Sequence, residues 1–314
     1  MTDDARGRDG DRPGRLRVGV VSAGRVGSVL GAALGRAGHD VGAAAAVSTE
    51  SRRRAEAWLP DARILPPDDV VATSDLVLLS VPDDQLGPLV AGLAGTGSWR
   101  PGTIAVHTSG VHGLAVLDPA TRQGAVPLAI HPALSLTARA EDAQRLVGAR
   151  FGVTSPEQYR MVAETLTLEI GGEPVWVPDH SRPAYHAALT MSANHLVTLV
   201  NDAVEVLTAS GVEGPEALLA PLLAGVLDNS LRLGDQALTG PVSRGDSRTV
   251  RGHVDVLAGI APQVVPAYRA MARRTTARAL GSGRISDATA GEILDVLAAA
   301  GTGLTTGEAA GEGS

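Results

Sequence analysis

Over the first half of the chain, short apolar runs alternate with Ala/Leu-rich stretches at helical spacing; the second half carries helical patterns alone. Arg17 to Val21 is a β-branched run that predicts a buried strand, and Ser28 to Ala37 predicts the helix after it, closed by Gly38 as a C-cap. Val41 to Val47, Asp75 to Val81, Gly102 to Val106 and Ala125 to Ile130 read as further strands. The run from Asp75 is continuously apolar, as expected of a parallel strand covered on both faces. Phe151 to Val153 and Pro174 to Val177 predict the strands that close this region. From Asp179 the signal turns helical. One helix opens at Ser181 or Pro183 and runs to about Ser210, with Gly211 as its stop, and others cover Pro215 to Leu233, Gln263 to Leu280 and Asp287 to Ala300, the last capped by Ser286. Asp246 or Ser247 opens the helix that carries His253. The expected fold is α/β: a Rossmann-like, doubly wound parallel sheet over residues 15–178, then an all-helical domain over 179–302. Residues 1–14 and 303–314 are polar and glycine-rich and read as disordered tails.

The turn after the first strand is Ser22-Ala23-Gly24-Arg25-Val26-Gly27. Strand, glycine turn and helix form the opening unit of a dinucleotide-binding fold. Gly24 lets the backbone approach a pyrophosphate, Gly27 lets the helix pack on its strand, and the first amides of the helix face the phosphates. Ser22 stands at the first glycine position of G-x-G-x-x-G. Beyond the second strand, where a ribose-binding acid is usual, come Ser48-Thr49-Glu50-Ser51 and Arg52 to Arg54. Hydroxyls and guanidinium groups at Ser48, Ser51 and Arg52 suit a 2′-phosphate, so NADP is favoured over NAD, although Glu50 is also placed to hold a ribose.

Three later strands deliver polar residues to the same expected edge of the sheet, in Pro82-Asp83-Asp84, His107-Thr108-Ser109-Gly110 and His131-Pro132, and Val81, Pro82 and Asp83 are expected to line the cofactor cleft. On the helix from Ser181, His186, Thr190 and Asn194 recur at i, i+4 and i+8, one polar stripe on an apolar helix. That composition suits a half-buried pocket better than bulk solvent. Arg244, in a glycine-flanked loop, offers a planar fork for a carboxylate; a surface pair with Asp246 is the plainer reading.

Composition narrows the chemistry. Cysteine is absent, which excludes disulfides and thiolate metal sites and fits a reducing cytoplasm. No metal site is expected. A net charge of −7 provides no basic field for nucleic acid. No apolar run approaches the ~20 residues of a membrane span, and no signal peptide is read at the start. All 27 basic residues are arginine. Schiff-base formation and a lysine acid are thereby ruled out.

The segments SAGRVG, VPDD, HTSG, HP, YHAALTMSAN and ALTGPVSRGDSRTVRGHV occur in an order that resembles a family of oxidoreductases with a Rossmann-like N-terminal domain and a helical C-terminal domain of unknown function. The resemblance spans nearly the whole chain between the tails, and the last segment is its most specific part. That family is similar to ketopantoate reductase, pyrroline-5-carboxylate reductase and the 3-hydroxyacid dehydrogenases. The resemblance implies an NADP-dependent reductase with its substrate between the two domains. This chain departs from the pattern at one place. A lysine is expected four residues before the asparagine matched by Asn194, and position 190 is Thr.

The expected activity is NADPH-dependent reduction of a small oxo-acid, with ketopantoate as the leading candidate. His186 is the expected general acid, since an imidazole titrates near neutrality. Asn194 and Ser109 orient the carbonyl and Arg244 clamps the carboxylate; His131 and His253 are competing acids. Two other readings stand beside it: reduction of a cyclic imine, which needs no strong acid, and a non-catalytic NADP-binding sensor. A homodimer through the helical domain is expected.

Overall fold

The computed structural model describes residues 14–299; both expected tails, apart from Gly14, lie outside them. The chain forms two compact units, divided between Ala193 and Asn194.

The first unit is built on one eight-stranded sheet: β1 (Arg17–Val21), β2 (Asp40–Ala45), β3 (Arg63–Ile64), β4 (Leu76–Leu79), β5 (Ile104–His107), β6 (Val126–Pro132), β7 (Arg150–Thr154) and β8 (Glu173–Trp176). Between them lie α1 (Arg25–Arg36), α2 (Thr49–Trp58), α3 (Pro67–Thr73), α4 (Asp83–Gly95), α5 (Asp118–Thr121), α6 (Asp142–Arg145) and α7 (Arg160–Glu169). The spatial order is β3-β2-β1-β4-β5-β6-β7-β8. Strand side chains alternate between the two faces. Val18, Val20, Leu76 and Leu78 pack with α1 and α7 on one face; Val21, Val77 and Leu79 pack with α3 and α4 on the other.

The sheet is not wholly parallel. β7 runs antiparallel to β6, with Pro132 opposite Phe151 and Ala129 opposite Thr154. Residues 133–149 contain only the four-residue α6, so the chain re-enters the sheet at the edge it left, with no crossover helix to carry it back. Asp142, fully buried, gathers this connection: its carboxylate accepts from the Thr137 N–H at 2.6 Å and the Thr137 hydroxyl at 3.2 Å.

The first unit ends with α8 (Arg182–Thr190) and enters a π turn, Met191–His195. The helix expected from Ser181 to Ser210 is thus interrupted, and α9 (Leu196–Ala209) begins after the turn. A π turn rotates each residue through a smaller angle than an α-helix. Asn194 therefore leaves the stripe that His186 and Thr190 share. The division also falls later than residue 179, because α8 is tied to the sheet: the Arg182 guanidinium bonds to β7, and Tyr185 bonds to His131 of β6.

The second unit continues with α10 (Pro215–Leu233), α11 (Pro241–Arg244), α12 (Ser247–Ile260), α13 (Val265–Gly281) and α14 (Asp287–Ala298). Its core is Val250 and Val254 of α12, Ala272 of α13, and Ile293, Val296 and Leu297 of α14. Among the described residues, no helix is long and apolar enough to cross a membrane.

Candidate active site

Ser22 begins the turn at φ +76°, the left-handed region that the glycine of the usual pattern adopts freely. The serine keeps the conformation despite a strain of about 1 kcal/mol. The backbone N–H groups of Ser22 and Ala23 both donate to the Ala45 carbonyl at 3.1 Å, which fixes the turn against β2. Gly24 is the N-cap of α1; no side chain caps the helix and no acid lies in its first turn. The first amide to bond back is Ser28, to Gly24. The N–H groups of Arg25, Val26 and Gly27 are left without intrahelical acceptors, at the positive end of the helix dipole. A Cβ at Gly27 would collide with the Ser22 carbonyl oxygen, whereas one at Gly24 would meet nothing closer than 3.6 Å. Close packing at Gly27 and open space at Gly24 are what a bound pyrophosphate requires.

Beyond β2, Ser48 caps α2 by accepting the Ser51 N–H at 3.0 Å, and the Ser51 hydroxyl returns a bond to the Ser48 carbonyl at 2.8 Å. The Ser48 hydroxyl donates in turn to the Ser51 hydroxyl at 3.0 Å, so both side chains are committed to the cap. Glu50 pairs with Arg54 at 3.0 Å. Arg52 is exposed and has no side-chain partner among the described residues. The only acid of this loop is therefore engaged while a guanidinium beside Ser48 stays free, an arrangement that fits a 2′-phosphate.

The neighbouring strands β1, β4, β5 and β6 bring their carboxyl ends to one edge. Three strand spacings, about 14 Å, separate β1 from β6. Pro82 precedes α4, with Val81 and Asp83 half-buried at its start. Ser109 is buried; its hydroxyl accepts the His112 N–H at 3.1 Å, and His112 Nε2 bonds to the Asp83 carbonyl at 2.9 Å. His107 is fully buried, with Nε2 bonded to the Gly113 carbonyl at 3.2 Å. Burial, with the nearby Arg182 charge second, lowers its pKa to about 3. His107 is a neutral, structural residue.

Next to this loop, His131 Nδ1 lies 2.9 Å from the Tyr185 hydroxyl, and the two rings meet edge to face. The His186 ring is 6.0 Å from that of His131, also edge-on. Both imidazoles close on Gly110: a Cβ there would stand 2.5 Å from His186 Cδ2 and 3.0 Å from His131 Nε2. Burial first, then the charges of Arg182 and His186, push the His131 pKa down to about 4. Arg182 is itself fully buried without a carboxylate partner. Its guanidinium donates to the Ser109 carbonyl at 2.6 Å and the Thr154 hydroxyl at 3.0 Å, and its Nε has no partner.

Of the expected site residues, Ser109, His131 and His186 come together in the first unit. Asn194, Arg244 and His253 belong to the second and are all exposed. Arg244 ends the short α11, between Gly240 and Gly245, both at positive φ. It forms no ion pair with Asp246, whose carboxylate instead caps α12 through the Thr249 N–H at 2.9 Å. His253 Nδ1 lies 2.9 Å from the Tyr268 hydroxyl. Arg182, Tyr185 and Gly110 escaped the sequence reading. A signal for one of them existed: the chain has only 3 tyrosines, and 2 of them bond to histidines. A surface cavity of about 750 Å³ lies at the opposite edge of the sheet, lined by Arg15, Arg36, His39 and Trp58. It sits at the C-terminal end of α1, where the helix dipole disfavours phosphate.

Residues 1–132 match the family described as Rossmann-like domain, and residues 149–275 match a domain of unknown function, DUF2520. No curated protein matches the chain. Among solved structures it is similar to a Bacteroides fragilis protein described as a candidate NADP oxidoreductase (20% identity, TM-score 0.68, covering 84% of this chain and 98% of that one). It is also similar to a Myxococcus stipitatus imine reductase in complex with NADP+ (17%, TM-score 0.61, 88% and 99%). A Coxiella burnetii pyrroline-5-carboxylate reductase is more distant (14%, TM-score 0.52, 90% and 99%). At these identities the likeness is one of fold.

Proposed function

We propose that the chain is an NADPH-dependent reductase of a small oxo-acid or imino-acid. The observation that carries this reading is the uncapped start of α1: three free amides above an open glycine, on the sheet edge that also bears the Ser109, His131 and His186 cluster. Within the Ser22–Gly27 turn the free amides of Arg25, Val26 and Gly27 hold the pyrophosphate, Arg52 the 2′-phosphate, and Val81, Pro82 and Asp83 line the nicotinamide end. Bound there, the coenzyme supplies a hydride. Ser109 orients the substrate, and the imidazole pair His131 and His186 supplies the proton. In the second unit the free Arg244 guanidinium is the group suited to a carboxylate.

Ketopantoate leads as substrate; a cyclic imine is the second reading, favoured by the absence of lysine. Titration calorimetry with NADPH and NADH, followed by NADPH oxidation against ketopantoate and pyrroline-5-carboxylate, separates the cases. Tighter binding of NADPH and turnover of one acid are expected. Binding without turnover across oxo- and imino-acids would support a sensor, and no binding of either coenzyme would end the reading.

A homodimer through the helical unit belongs to the same proposal. Across α9 and α10, Pro215 is the only buried residue. Leu196, Val197, Leu199, Leu218, Leu222 and Leu231 are 41–80% exposed. Two apolar helices of this size offer an area on the order of the 800 Å² per partner that a stable interface buries, and a second copy brings the same surface. Sedimentation is expected to give a dimer that Leu222→Glu dissociates; a wild-type monomer would overturn this.

A further inference from the structure

We infer that Tyr185 is the proton reservoir behind His131, and that Arg182 is the fixed cation that stabilises the phenolate left behind. This rests on the reductase reading and specifies its proton path. An imidazole presents its two nitrogens on opposite sides of the ring. His131 Nδ1 is taken by the Tyr185 hydroxyl at 2.9 Å, so Nε2, on the side packed against Gly110, is the nitrogen left for a substrate. Held neutral by burial, His131 has a single N–H to offer. When Tyr185 donates to Nδ1, that N–H is on Nε2, towards Gly110.

Arg182 has a cost that packing does not explain. Burying a cation is unfavourable by several kcal/mol; Arg182 forms no ion pair among the described residues, and Asp179 favours its charge only through space. Its guanidinium carbon lies 5.9 Å from the centre of the Tyr185 ring. Burial raises the Tyr185 pKa, and Arg182 and the Gly152 backbone N–H act against that rise. Gly152 faces His131 across the β6–β7 ladder, and a Cβ there would overlap the tyrosine hydroxyl. The other titratable groups around the pair are Asp83, His107, His112, Asp179 and His186. Asp179 accepts the Leu114 N–H at 2.7 Å, and its charge favours the Arg182 cation.

A coenzyme held by the α1 amides and Arg52 would supply the substrate carbon with a hydride and its electron pair. The carbonyl π pair moves to oxygen and takes the Nε2 proton of His131, forming O–H. Nδ1 takes the Tyr185 proton, leaving neutral His131 in the other tautomer and a phenolate beside Arg182. Solvent returns one proton. Tyr185 and Arg182 act through His131 and are positioning residues.

The test combines nitrogen NMR of the imidazoles with kinetics of Tyr185→Phe, which keeps the ring and removes only the hydroxyl. At neutral pH, His131 is expected to be neutral, protonated at Nε2, with an Nδ1 shift that marks an accepted hydrogen bond and is lost in Tyr185→Phe. The variant should lose about 100-fold in kcat, the scale of one proton-transfer contribution, with unchanged NADPH affinity. A His131 protonated at Nδ1 in the wild type, or an unchanged kcat in Tyr185→Phe, overturns the relay while coenzyme binding stands. Absence of coenzyme binding overturns the reductase reading and the relay together. In Arg182→Met, the Tyr185 phenol should ionise at higher pH than in the wild type, read by tyrosinate absorbance against a Tyr185→Phe blank; no rise removes Arg182 from the scheme.

Discussion

The two units hold the same small motif in different surroundings. In each, a histidine Nδ1 lies 2.9 Å from a tyrosine hydroxyl with the rings nearly perpendicular, His131 with Tyr185 and His253 with Tyr268. The first pair lies beside a buried arginine, a second histidine and a glycine against which both imidazoles pack. The second joins α12 to α13 with His253 exposed, and holds two helices together over a six-residue core. A hydrogen bond alone does not make a proton donor. Low dielectric and a fixed charge do, because they strengthen every interaction at the moment charge develops.

Exchanging each histidine tests that contrast most severely. His131→Asn should cost on the order of 10³-fold in kcat, within the range for general acid catalysis, whereas His253→Asn should change kcat less than twofold, both read by NADPH oxidation. Equal losses would erase the distinction.

The pH dependence of stability comes next. His131 titrates near 4 in the fold against 6.5 in the unfolded chain, so the unfolded state binds more protons between these values. The contribution is therefore complete above about pH 6.5 and is lost as pH falls towards 4. At about 1.4 kcal/mol per pKa unit, it amounts to about 3 kcal/mol. Denaturant melts of His131→Gln should show a correspondingly shallower decline over this window than the wild type.

Gly110→Ala should leave the fold in place, since imidazole rings can shift, but displace His131 and His186. A fall in kcat of about tenfold is expected, the size of a sub-ångström misplacement of a reacting group; an unaffected enzyme would show that the gap at Gly110 is unused. The smallest effect is at Ser22. Ser22→Gly should raise stability by up to about 1 kcal/mol, by relief of the left-handed strain, with coenzyme affinity retained. Thermal melts and calorimetry check both halves.

Much of the architecture could be read from residue order. The strands at Arg17, Asp75 and Ala125 show themselves because each face of a buried strand needs an apolar partner, and α10 begins at Pro215 and ends at Leu233 as its spacing says. The strand–turn–helix opening was legible for a similar reason: close packing at Gly27 leaves a mark on composition. The π turn at Met191–His195 was not, because Met-Ser-Ala-Asn-His has ordinary helical spacing and only hydrogen bonding to the fifth residue distinguishes it. Nor was the reversed direction of β7, since Arg150 to Thr154 has the same apolar pattern either way up.

Local pattern by itself decided the strand–turn–helix opening, the free amides of α1 and the helical second half, because each depends on residues close in the chain. Tertiary structure alone decided that Arg182 lies buried and bonded to the Ser109 carbonyl, that Tyr185 rather than a nearer neighbour meets His131, and that both imidazoles close on Gly110. His131 and Tyr185 are 54 residues apart in sequence and Ser109 and Arg182 are 73, and nothing in one segment encodes the distance to another until the sheet sets their order.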